Sequence, residues 1–156
     1  MFTDDQIEKY IHGKGDELIT STRRRVTLNE TWVRQFPEEG GVYAAWETGE
    51  SKPVYVGESK CLRNRMRDLL DSRHHILRHY IGEENFAHIE GFEKADSKNK
   101  FPPHIEKAVQ EWITEKISIA VLPVKLGRVE VEEHLIDIHP PKYNRMGKRK
   151  PKKPKK

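Results

Sequence analysis

The chain has 156 residues, 35% of them charged, and a formal net charge of +4, from which one domain of ordinary size with its own core, and no second catalytic domain, is expected. Its mean hydropathy is -0.87, no apolar run approaches the ~18 residues that cross a bilayer, and the acidic start Met1 to Tyr10 lacks the apolar stretch of a signal peptide. A single cysteine, Cys61, excludes an intrachain disulfide and a cysteine-based zinc site, so the expectation is a soluble cytoplasmic protein without a membrane partner.

Charge is unevenly placed. From Lys142 to Lys156 there are nine Lys/Arg and no acids, which leaves 20 basic against 25 acidic residues in the rest of the chain. The Lys/Pro-rich end from Gly147 cannot build a core and is expected to be disordered. Lys148, Arg149 and Lys150 there read as nonspecific phosphate contacts, or as a solubilising end.

In chain order, Thr3-Asp4-Asp5-Gln6 has the form of a capping box and opens a helix that Gly13 should close. Thr27-Leu28-Asn29-Glu30 is a second such box, leading through Trp32, Val33 and Phe36 toward Pro37. Between them Arg23-Arg24-Arg25 is a DNA-facing patch or a solvated loop. Val42, Tyr43, Val54, Tyr55 and Val56 are strand formers around the turn material Thr48-Gly49-Glu50-Ser51, which predicts a hairpin bringing Tyr43 and Tyr55 together. Leu62, Met66, Leu69 and Leu70 then give helical spacing from about 60 to 71, with Arg65 beside the apolar stripe and Arg63 and Arg67 outward.

Residues 72–80, including Arg73, His74, His75 and Arg78, form the most basic stretch inside the domain and read as a phosphate rim. A strand-like segment follows. Pro102-Pro103 suits a helix first turn, continued by Ile105, Val109, Trp112 and Ile113 to about Lys116. Residues 117–124 read as a buried strand, and Val131, Leu135 and Ile138 stripe a last helix over about 129–138. The whole predicts an α+β fold, a small and mostly antiparallel three-stranded sheet flanked by helices. The expected division is an N-terminal helical extension over 1–37, a main domain over 38–146 and the tail over 147–156.

Taken singly these residues have ordinary explanations: a hairpin tyrosine packs, and a glycine permits a turn. As an ordered set, Gly41-Val42-Tyr43, Tyr55-Val56-Gly57, Lys60, Arg65, Glu132 and Pro141-Lys142-Tyr143-Asn144 resemble the GIY-YIG nuclease family position by position, with spacings similar to those of the nuclease domain of the bacterial excinuclease. The resemblance covers about residues 38–146. It implies a metal-dependent endonuclease of bacterial, nucleoid-associated DNA, in repair, structure-selective or restriction-type cleavage. It further implies Tyr43 as the residue activating water, Tyr55 as a phosphate-orienting hydroxyl, Arg65 as the phosphate clamp, and Glu132 as ligand of one Mg2+ or Mn2+ ion. Gly41, Gly57 and Asn144 would brace the site, Asn144 alternatively capping a turn. A tyrosine with an ordinary pKa of about 10 needs cations to favour its phenolate, and Arg65 and Lys60 are the candidates.

One departure is Leu69, where many members carry His or Tyr four residues after the arginine. His75, or less readily His74, could reach the site instead as general base or phosphate contact. Glu133 is the second choice for metal ligand if the helix register slips, and His139 reads as a helix-end residue. Arg63, Arg67, Arg73 and Arg78 are the candidate DNA contacts within the domain. A single site cuts one strand at a time, so a double-strand break would need a homodimer or a second visit. The competing readings are a nucleic-acid-binding module on the same fold that no longer cuts, and an interaction protein with a chance match.

Overall fold

The computed structural model describes residues 1–146; the tail and its candidate contacts Lys148, Arg149 and Lys150 lie outside the described residues. Four antiparallel strands form one sheet in the order β1-β4-β2-β3, where β1 is Arg24–Arg25, β2 Gly41–Glu47, β3 Tyr55–Ser59 and β4 Ile117–Pro123. The three expected strands are all present. The fourth, β1, comes from the arginine run: Arg24 and Arg25 pair with Ile119 and Ser118. A two-residue edge strand carries too little alternation to stand out in a sequence.

Strand alternation divides the interior into two layers. Tyr43, Ala45, Tyr55, Ile117 and Ile119 face α2 (Glu30–Val33), α3 (Leu62–Asp68), α4 (Ile76–Phe86) and α5 (Pro103–Lys116). Val42, Ala44, Trp46, Val56 and Ala120 face α1 (Asp4–Thr20) and α6 (Arg128–Ile138). Residues 1–37 enter both layers, with Leu18 in the second and Val26, Trp32, Val33 and Phe36 in the first. A short α7 (Lys142–Met146) closes the described chain against β3.

Three local expectations change. The capping box at Thr3 forms, but α1 runs through Gly13 to Thr20. A Cβ on Gly15 would stand 3.1 Å from the Leu135 side chain, so the glycine is where α1 closes on α6. Burying Leu18 and Leu135 is worth roughly 1.5–3 kcal/mol each, enough to offset about 1 kcal/mol per helical glycine. In the second box the cap is Asn29, whose side chain accepts from the Trp32 N–H, and the helix is a single turn. The segment after residue 80 expected to be strand-like is the end of α4 followed by turns, with no strand between α3 and α5 among the described residues.

Candidate active site

Tyr43 lies at the centre of the sheet, paired across to Gly57 on β3 and Val121 on β4. A Cβ on Gly57 would stand 2.4 Å from Tyr43 Cζ and 2.5 Å from its Oη. Only a residue without a side chain lets this phenol lie across β3, which is the physical content of the glycine in the second cluster. Gly41 is equally constrained, because a Cβ there would meet the Leu122 carbonyl oxygen at 2.2 Å.

Three aromatic rings then meet. Ring centroids are 6.0 Å apart for Tyr43 and Tyr55, 5.9 Å for Tyr43 and His75, and 5.8 Å for Tyr55 and His75. His75 is the N-cap of α4: its Nδ1 accepts the Leu77 backbone N–H at 3.1 Å. In the neutral ring the proton is therefore on Nε2, which donates to Tyr43 Oη at 2.9 Å; the tautomer follows from the hydrogen bonds. Arg65 Nε donates to the same oxygen at 3.2 Å, while its Nη1 reaches Asp68 Oδ2 at 3.3 Å and the His74 carbonyl at 3.2 Å.

Electrostatics follow from burial. Tyr43 is pushed well above the ordinary tyrosine range by desolvation and then by neighbouring Tyr55, with Arg65 pulling the other way. Tyr55 is raised by burial and lowered by Arg65. His75 falls well below the usual histidine value because it is buried and then because Arg65, His79 and Arg78 are near, so it stays neutral at physiological pH. A neutral imidazole already carrying its proton on Nε2 cannot accept one from Tyr43. The expectation of His75 as a general base is therefore corrected to that of a donor, and donation to the phenol oxygen favours its anionic form.

Glu132 approaches from the opposite layer, around the free edge of β3. That edge is occupied in sequence: the Tyr143 N–H donates to the Val54 carbonyl at 2.9 Å, and the Asn144 amide pairs with the Val56 N–H at 2.8 Å and the Val56 carbonyl at 2.9 Å. Asn144 thus completes β3 as a neighbouring strand would. Next along the edge, the Glu132 carboxyl is pushed up to about 7 by burial and by the charges of Glu58 and Glu133, against the pull of the Glu58 backbone and of Arg65. Glu132 also acts on Tyr55, whereas Glu133 is exposed.

A carboxylate held this high is one that a bound cation relieves, so the donor set fits a divalent ion. Among the described residues no three His, Cys, Asp or Glu side chains converge on a metal position. The protein offers one carboxylate, which suits an ion that keeps its waters and draws further oxygens from a phosphate.

Several candidates lie elsewhere. Lys60 is exposed, and the cation that acts most on the phenols is Arg65. Arg78 is corrected outright: it is 1% exposed, bonded to Glu106 Oε2 at 2.8 Å, Ser72 Oγ at 2.9 Å and the Leu69 carbonyl at 2.8 Å, and it ties α4 to α5. Arg63, Arg67 and Arg73 remain at the surface, held to Glu38, Glu30 and Asp71. His74 is surface-exposed, and only its carbonyl joins the site. His139 caps the end of α6. Glu58 and its partner Arg128, 2.7 Å apart, were not foreseen; seventy positions separate them, and no local signal links them.

No family model matches the chain, and no curated relative does. Among solved structures it is similar to the GIY-YIG N-terminal endonuclease domain of UvrC from Thermotoga maritima. For the magnesium-bound form the identity is 22% and the TM-score 0.36, over 74% of this chain and 98% of that one. For a point mutant of the same domain bound to its catalytic divalent cation they are 23% and 0.37, over 74% and 97%.

Proposed function

We propose that the chain is a metal-dependent endonuclease hydrolysing DNA phosphodiester bonds, in repair, structure-selective or restriction-type cleavage. The observation carrying this reading is the convergence of a buried phenol pair, one guanidinium and one carboxylate of raised pKa at the edge of β3. Hydrolysis needs a water made nucleophilic and charge neutralised on the phosphate in the transition state. A divalent ion on Glu132 would supply Lewis-acid neutralisation of that charge.

The chain's own residues do the remainder. Arg65 turns its Nη groups from Asp68 and the His74 carbonyl to the phosphate oxygens, the bidentate geometry a guanidinium favours. The phenol pair first loses one proton to bulk solvent through Tyr55, the less enclosed of the two, and the resulting phenolate, shared between Tyr43 and Tyr55, takes the proton of the attacking water. His75 donates from Nε2 and holds negative charge on Tyr43. Asn144 keeps β3 straight, so that the Glu132 and Arg65 sides of the site stay in register.

The test is supercoiled plasmid with magnesium or manganese, with and without chelator, for the wild-type chain and Glu132→Ala. Nicked circles are expected only from the wild type with metal. If neither protein cuts plasmid, branched or damaged DNA while both retard it on a gel, the non-cutting binding module replaces this reading.

A further inference from the structure

A second feature lies where the sheet ends beyond Gly41. There Gly40, Glu39, Lys14 of α1, Lys60, and Lys125 and Arg128 at the start of α6 line a concavity of about 610 Å³. Four cations face one acid. Lys14 is paired with Glu17 at 3.6 Å and Arg128 with Glu58 at 2.7 Å, but Lys60 and Lys125 form no ion pair among the described residues. Like charges gathered on a concave surface repel one another and focus a positive potential outward, so the arrangement favours an anionic occupant.

Its position identifies that occupant. Arg128, which bonds the Glu58 side chain, lies one helical turn before Glu132 on α6, so the concavity adjoins the candidate metal carboxylate. Lys60 follows Gly57 by three residues.

We propose that this concavity is a second phosphate subsite, in which Lys14, Lys60 and Lys125 hold the backbone of the DNA strand to one side of the bond to be cut. The inference rests on the endonuclease reading, and it accounts for a lysine that the resemblance put in the catalytic set and the fold puts on this rim. Three separate elements build the subsite: α1, the end of β3 and the β4–α6 loop. The N-terminal residues therefore belong to the DNA-binding surface. Backbone contacts of this kind fix position without reading sequence.

The full chain is titrated by fluorescence anisotropy with a labelled 20-mer duplex in chelator, so that nothing is cut, over ~50–200 mM salt. The proteins are the wild type, Lys125→Gln, Lys14→Gln with Lys125→Gln, and Lys52→Gln as a control at the opposite end of the sheet. Each lysine lost from the subsite should lower the slope of log affinity against log salt by about 1, with Lys52→Gln unchanged. Equal slopes for all four proteins, or an equal loss for Lys52→Gln, overturn the proposal. Thermal melts accompany each protein, and Lys125→Gln, in an exposed loop without an ion pair, stands alone if the double variant melts early. Plasmid nicking on the same preparations separates the two readings: slopes lost without any cutting sink the endonuclease alone, and cutting with unchanged slopes sinks the subsite alone.

Discussion

His75 does two jobs with two nitrogens, and the jobs can be separated. Nδ1 caps α4 through the Leu77 N–H, and Nε2 donates to Tyr43. Asparagine is a strong N-cap but too short to reach the phenol. His75→Asn should thus keep the melting temperature within about 2 °C and lose the donor, slowing nicking by roughly 10²-fold, the scale of one lost donor to developing negative charge. Its pH-rate profile should also move to higher pH, because the phenolate is less favoured. His75→Leu removes both contacts and should lose about 1 kcal/mol of stability as well. An unchanged profile in His75→Asn would reduce His75 to a cap. The sequence offered His75 only as one of two neighbouring histidines. Their assignment depends on where α4 begins, a boundary that spacing alone does not fix.

At the scale of elements, β3 is the piece on which the site is strung. Its inner edge pairs with β2 from Gly41↔Ser59 to Ala45↔Tyr55, and its outer edge is covered by Tyr143 and then Asn144. Asn144→Ala leaves the part-buried Val56 N–H and carbonyl without partners, a loss of about 2 kcal/mol or roughly 4–8 °C in melting temperature. Hydrogen exchange should quicken first at the Val56 amide, and nicking should fall with it. Protection at Val56 equal to wild type would deny Asn144 its bracing role. The hairpin, α3, α5, β4 and α6 were legible because apolar period and turn residues both pointed to them. Less legible was whatever depends on packing between distant segments: β1, the continuation of α1 through Gly13, the burial of Arg78 against Glu106, and the place of Lys60 on the rim of the concavity. The residues that gather the site were readable as an ordered set. Which face of the sheet each occupies was not.

Across the whole molecule the site joins the two layers, for the phenols, Arg65 and His75 belong to one and Glu132 to the other, meeting only around the end of β3. Such a junction holds a desolvated acid at a cost in stability. With its pKa raised from 4.5 to about 7, Glu132 binds more proton folded than unfolded between those values, so its contribution to stability falls as pH rises through that window and is constant above it. The full shift would amount to about 3 kcal/mol; a half-buried group screened by solvent gives nearer 1 kcal/mol. Glu132→Gln should therefore melt about 2–4 °C above the wild type at pH 8 and level with it at pH 4.5, while losing nicking. Comparing the two proteins at each pH cancels His75, whose lowered pKa costs stability in both as pH falls below about 6.5. Magnesium should raise the wild-type melting temperature at pH 8 by binding the folded state and leave the variant unmoved. A variant no more stable than wild type at pH 8, or one equally stabilised by magnesium, would remove Glu132 from the metal position and with it the joining of the layers as the reason for its raised pKa.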